Sequence, residues 1–147
     1  MPLLYADTSA VVGAYFPDEA DHQTLHRLLL AGDDPVVTSE LTRLEFASAV
    51  SSGYRGLRIA DPEALLANFD ADCAENGPFT LLSLDSATML PLARKLVTEH
   101  PLRSLDALHL ATAVARSEKL AGGEVVAMVT RDQRQATAAK ACGLRVL

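Results

Sequence analysis

Five short apolar runs punctuate this chain, each separated from the next by one or two longer stretches of helical character. The runs are Leu3-Leu4-Tyr5-Ala6, Val36-Val37-Thr38, Phe79 to Leu84, Val125 to Val129 and Leu144-Arg145-Val146-Leu147. Apolar strands that alternate with helices suit a sheet covered on both faces. The pattern therefore predicts a three-layer α/β fold, with a mostly parallel central sheet and helices on either side.

The stretches between carry helix signals. Thr8–Tyr15 is a short helix, and Asp18–Leu30 places Leu25, Leu28 and Leu29 on one side before Gly32-Asp33-Asp34-Pro35 ends it. Ser39 caps a helix to Ser52 that stops at Gly53. Asp61-Pro62 supplies a cap and a first-turn proline for the next, which Gly77-Pro78 closes. Ser86–Thr98 follows, then a long helix from the Ser104 cap to Leu120, and finally Gln133–Cys142. There are no repeats or linkers, and 147 residues suit one domain spanning residues 1–147.

Bulk properties narrow the function classes. With 49% hydrophobic and 22% charged residues the chain is neither disordered nor fibrous. Cys73 and Cys142 lie in helical stretches with no CxxC spacing and no histidine beside them, so they read as reduced thiols rather than ligands. No apolar stretch approaches the roughly 18 residues of a membrane span, and no leader pattern opens the chain, which predicts a cytoplasmic protein. The net charge of −6 argues against a generally basic nucleic-acid surface. The charge is uneven, however: residues 1–85 carry 14 acids and 4 bases, residues 86–147 carry 5 acids and 9 bases. A polyanion would meet a restricted surface, or bind through cations.

Four acids stand out. In an open parallel sheet, ligands bind along the carboxyl edge of the strands. Asp7 follows the first apolar run, Asp132 follows the fourth, Asp106 falls in the first turn after Ser104, and Glu45 lies about one and a half turns into the helix after Val36–Thr38. Asp7 and Asp132 read equally well as helix caps, and Asp106 as an acid favoured by a helix dipole. Asp85 also follows a strand and reads as a cap. Glu45, with Leu41 and Ala49 a turn either side, and Asp106, in Leu105-Asp106-Ala107-Leu108, have apolar company that makes an uncompensated charge costly. Two carboxylates 4 Å apart repel by about 4 kcal/mol at an effective dielectric of 20. A cluster of four requires raised pKa values or divalent cations. Oxygen-only ligands suit Mg²⁺ or Mn²⁺, and no His/Cys set has zinc spacing. Such a site is apparatus for phosphodiester hydrolysis.

These motifs resemble those of the PIN-domain ribonucleases, and within them the VapC-type toxins of bacterial toxin–antitoxin pairs, over essentially the whole chain. Leu4-Tyr5-Ala6-Asp7-Thr8-Ser9-Ala10 resembles the family's strand–Asp–Thr–Ser opening. Ser39-Glu40-Leu41-Thr42-Arg43-Leu44-Glu45-Phe46 resembles its second acidic motif, with Glu45 the metal-site glutamate. Leu105-Asp106-Ala107-Leu108-His109-Leu110-Ala111-Thr112-Ala113 matches the third motif most specifically. Thr130-Arg131-Asp132 with Ala141-Cys142-Gly143-Leu144-Arg145-Val146 resembles the fourth, although Gln135-Ala136 stands where a bulkier apolar residue is common. The resemblance implies a PIN-like fold and a Mg²⁺- or Mn²⁺-dependent endoribonuclease. It also implies a homodimer, inhibited by an antitoxin protein that covers or enters the acidic groove. RNA as the substrate, rather than DNA, follows from the resemblance alone.

The expected site is therefore a Mg²⁺ or Mn²⁺ held by Asp7, Asp106 and Asp132 and completed by Glu45. Ser9 and Thr130 would hold metal waters or the attacking water, or act simply as capping hydroxyls. Arg103, just before the Ser104 cap, is a candidate for a substrate phosphate, with Arg43 and Arg131 weaker versions; each also reads as a solvated surface arginine. His109, at i+3 from Asp106, reads as a packing histidine in preference to a ligand. Two alternatives stay open. One is a catalytically silent PIN-like binding module. The other is a receiver-type phospho-acceptor domain, against which stand the single acid after the first strand and the lack of a lysine after the last.

Overall fold

The computed structural model describes residues 1–147. Five strands, β1 (Leu3–Ala6), β2 (Val36–Ser39), β3 (Phe79–Leu82), β4 (Val126–Val129) and β5 (Arg145–Val146), form one sheet in the order β3-β2-β1-β4-β5. Every pairing is parallel. The chain builds outward from β1 through β2 to β3, then returns to place β4 on the other side of β1. The order therefore reverses between β1 and β4, which opens a crevice at their carboxyl ends. A receiver domain has the order 2-1-3-4-5, and this sheet does not.

Residues of β1 alternate between two cores because successive side chains of a strand point to opposite faces. Leu3 and Tyr5 join Val37, Leu82, Met89, Leu96, Leu110 and Met128. Leu4 and Ala6 join Val11, Phe16, Leu25, Phe46, Phe69 and Phe79 on the other face. The first face is covered by α5 (Ser86–Glu99), α6 (Ser104–Thr112) and α8 (Gln133–Ala141). The second is covered by α1 (Thr8–Tyr15), α2 (His22–Leu29), α3 (Leu41–Arg55) and α4 (Pro62–Asp72). The three-layer α/β architecture is the one the alternating runs predict.

Element boundaries differ from the sequence expectation in several places. Ser39 closes β2 and Ser104 is the first residue of α6, so Glu40 and Arg103 stand at the N-cap positions instead, and β3 ends at Leu82 rather than Leu84. Three other differences have a local cause. The second helix starts at His22 rather than Asp18, because Asp18 and Glu19 are drawn into ion pairs with Arg58 and Asp21 pairs with Arg131. Gly53 does not stop α3, which runs to Arg55; it lies inside the helix where a Cβ would come within 2.7 Å of Ile59 Cδ1. The helix from Ser104 is α6 only to Thr112, widens into a π turn over Ala113–Ser117 and ends as α7 (Glu118–Ala121), with Gly122 left-handed at φ 58°. No helix is long and apolar enough to cross a membrane.

Gly13 lets α1 and α2 approach closely. A Cβ there would collide with Leu25 Cδ1, and Leu25 is buried. Overpacking a filled core costs about 1–3 kcal/mol, and alanine in place of a helical glycine returns about 1 kcal/mol. Gly13→Ala is expected to destabilise by about 1 kcal/mol, read as a lower urea midpoint at unchanged slope.

Candidate active site

Ala6 pairs with Val129 across β1 and β4, so Asp7 and Thr130 leave the sheet side by side. Asp7 is only 3% exposed. Its Oδ1 accepts the Ala10 N–H at 3.1 Å, which caps α1, and the Ser9 hydroxyl at 2.6 Å. Its Oδ2 accepts the Thr130 hydroxyl at 2.5 Å. Burial pushes the Asp7 pKa above the ordinary carboxylate value, against the opposing effect of these donors and of His109. The cap reading of Asp7 is correct and compatible with a site. A carboxylate held buried at such a cost is one that a cation relieves.

Thr130 joins two of the acids. Its hydroxyl donates to Asp7 and accepts the Asp132 N–H at 3.1 Å. Asp132 Oδ1 accepts the N–H groups of Arg134 at 2.9 Å and Gln135 at 3.1 Å, capping α8. Its Oδ2 faces Arg103, whose Nη2 stands at 3.4 Å, while Arg103 Nε reaches Asp106 Oδ2 at 3.0 Å. Gln135, fully buried, donates from Nε2 to the Asp106 carbonyl at 2.9 Å. That bond explains the amide where an apolar residue is expected: it ties the start of α6 to α8.

Glu45 projects from the second turn of α3 and is held from the opposite side. Its Oε1 accepts the Thr8 hydroxyl at 2.8 Å and lies 2.6 Å from His109 Nε2. A carboxylate can only accept, so Nε2 carries the proton, and it is shared with Thr8 Oγ1 at 3.2 Å. His109 Nδ1 and the Tyr5 hydroxyl share a bond of 2.7 Å beneath. Burial alone would raise the Glu45 pKa. The hydrogen bond and charge of His109, the Thr8 hydroxyl and the charge of Arg103 outweigh it, so the pKa lies below the ordinary value.

Asp7, Glu45, Asp106 and Asp132 are thus gathered at one edge, at the β1/β4 crevice. No three His, Cys, Asp or Glu side chains form a ready-made metal cage. The donor chemistry nevertheless fits a hard divalent cation. Glu45 Oε2 and Asp106 Oδ1 accept no hydrogen bond within the protein, and a carboxylate offers about four acceptor positions, of which Asp7 uses three. Mg²⁺ is commonly held by one or two carboxylates with several waters.

Burial ranks the acids differently from the sequence. Glu45 and Asp106 have apolar neighbours in sequence yet remain 21% and 16% exposed at the side chain, while Asp7 is the buried one. Arg43 pairs with Asp70 at 3.0 Å and Arg131 with Asp21 at 2.8 Å, so neither forms an ion pair with the four acids. Asp85 stands at the cap position of α5 and accepts the Thr88 hydroxyl. His109 is buried, as a packing histidine would be, but both ring nitrogens are engaged. Tyr5, Thr8, His109 and Gln135 are the network members that sequence reasoning missed or left as packing. The signals on offer were a tyrosine in a wholly apolar strand, whose hydroxyl needs a partner, and polar residues in otherwise apolar helices.

A sequence model of the PIN domain matches residues 4–141. The chain belongs to the PIN-domain family. This PIN domain is of the VapC type: it is 33% identical over 146 residues, 99% of this chain and 95% of theirs, to the proteins named ribonuclease VapC45 and ribonuclease VapC49, from two strains of Mycobacterium tuberculosis. The same fold occurs in the crystal structure of FitAcB from Neisseria gonorrhoeae, with a TM-score of 0.61, 16% identity and coverage of 98% of this chain and 96% of that one.

Proposed function

We propose that this chain is a Mg²⁺- or Mn²⁺-dependent endoribonuclease that acts in the cytoplasm, as a homodimer, as the toxin of a toxin–antitoxin pair. The observation that carries the reading is the convergence of Asp7, Glu45, Asp106 and Asp132 on one sheet edge, within a PIN domain 33% identical to proteins named ribonucleases. RNA and a cognate antitoxin protein are the partners this family membership supports.

Asp7, Asp106, Asp132 and Glu45 would hold the ion. When bound, it supplies an acidified water and offsets charge on the phosphoryl group. The protein's own residues set the stage. Ser9 and Thr130 fix the Asp7 carboxylate, Gln135 and the α8 cap fix Asp106 and Asp132, and Thr8 and His109 aim Glu45. Glu45, with its pKa held low, stays ionised and suited to orient a water for in-line attack. Departure of the 3′-oxygen then leaves a 5′-phosphate and a 3′-hydroxyl.

Purified protein is expected to cleave single-stranded RNA in Mg²⁺ or Mn²⁺, to lose activity in excess chelator and to regain it when the metal is restored. The absence of a preformed three-ligand cage favours a second reading, a binding module without catalysis. No cleavage with or without metal, together with no Mn²⁺ uptake by calorimetry, would establish that reading instead.

A further inference from the structure

Arg103 is the one arginine or lysine whose side chain contacts the proposed metal carboxylates. It lies at the N-cap position of α6 in extended conformation, and its side chain is 75% exposed. Only Asp106 and Asp132 hold its guanidinium. Its charge also reaches Glu45. The carboxylate oxygens explain why this matters. Asp132 Oδ1 is consumed by the α8 cap, so Oδ2 is the oxygen left for a ligand, and Oδ2 is the one Arg103 takes. Asp106 likewise gives Oδ2 to Arg103.

Resting on the metal-site reading above, we propose that Arg103 is a displaceable internal counter-ion: it neutralises the acidic edge when metal is absent and must leave Asp132 Oδ2, the one oxygen that carboxylate has left, for a divalent cation to bind between Asp132 and the free Asp106 Oδ1. A guanidinium and a divalent ion cannot share one oxygen at contact distance without strong repulsion. Nothing else anchors the arginine, so the exchange requires a side-chain rotation and no backbone change. The displaced guanidinium remains at the mouth of the site, beside Arg131 and Arg134, where a phosphodiester would arrive. Metal uptake therefore converts Arg103 from an occluding group into a phosphate contact, and the strength of its two ion pairs sets the metal concentration at which the site opens.

The sign of this role distinguishes it from simple support of the site. A residue that positions ligands weakens metal binding when removed, whereas a competitor strengthens it. The test is Mn²⁺ titration, by calorimetry or by the free-ion electron spin resonance signal, of wild type, Arg103→Ala and Arg134→Ala at one ionic strength. Arg134 shares the mouth, and its side chain has no recorded contact with the acids. Arg103→Ala is expected to bind Mn²⁺ about five- to tenfold more tightly, the effect of losing two exposed ion pairs, with a larger Mn²⁺-induced rise in Tm. Arg134→Ala is expected to stay within about twofold of wild type. Wild-type binding with no gain in Arg103→Ala, or an equal gain in Arg134→Ala, would overturn the counter-ion role and leave the metal site standing. No Mn²⁺ binding by any of the three proteins overturns both.

Discussion

Asp7→Asn is expected to reduce metal-dependent RNA cleavage by at least roughly a hundredfold while leaving the protein as stable as wild type or more so. Both halves follow from the same geometry. Asn is as good a helix cap as Asp, so its side-chain oxygen keeps the Ala10 N–H, and the Thr130 hydroxyl can turn to accept from the new amide. The substitution removes a charge that burial disfavours, and a carboxyl whose pKa is raised by folding destabilises the protein at neutral pH. Activity moves the other way. Altering partners that merely orient a ligand costs about 10- to 100-fold in metal affinity or activity, so removing the charge of a ligand itself costs more. The measurements are Mn²⁺ affinity, cleavage of a fluorogenic RNA and Tm on the same preparations. Full activity in the Asp7→Asn variant would remove Asp7 from the site, and a Tm loss beyond about 5 °C, roughly 1–2 kcal/mol for a domain of this size, would show that the carboxylate is structural.

Such divergence between stability and activity marks where the site is built at the expense of the fold. Most of the molecule is locally consistent: Asp61-Pro62 opens α4 as cap and first-turn proline, and β1 to β4 are apolar runs whose two faces enter the two cores. These features were legible in sequence because they depend on neighbours one to four residues away. The four acids were legible as candidates for the same reason, since the end of a strand and the first turns of a helix are local properties. Their ranking by burial was not. Asp7 passes in sequence as an ordinary cap, and its burial comes from β4 and from Thr130, which is 123 residues distant. Glu45 and Asp106 have apolar neighbours along their helices, but their side chains emerge at the open edge of the sheet.

The role of Arg103 was hidden for a related reason. A guanidinium before a helix reads as solvated, and its pairing with Asp132 requires α6 and α8 to lie against each other. Gln135 shows the same limit. A glutamine on a helix whose buried face is otherwise alanine has no local explanation, and only the Asp106 carbonyl at 2.9 Å supplies one.

His109→Ala is expected to cause the largest stability loss of any substitution at the site, about 3 kcal/mol, or a fall in Tm of roughly 6–12 °C for a domain of this size. His109 is 1% exposed and joins Tyr5, 104 residues earlier, to Glu45, 64 residues earlier. Removing the imidazole leaves the Glu45 carboxylate and the Tyr5 hydroxyl without this partner, at about 1–3 kcal/mol for each group left unsatisfied. Glu45 is partly solvated and keeps the Thr8 hydroxyl, which lowers the figure, while the space vacated by the imidazole adds to it. Tyr5→Phe removes the hydroxyl at the far end and should cost less alone, with a coupling to His109→Ala of about 0.5–3 kcal/mol in a double-mutant cycle. His109→Gln keeps an N–H donor for Glu45 and should recover part of both stability and cleavage. At temperatures well below unfolding, cleavage by His109→Ala should fall roughly 10- to 100-fold, as for the loss of a group that orients a ligand. Additive losses for Tyr5→Phe and His109→Ala would mean that the two side chains pack independently and that no relay links Tyr5 to Glu45.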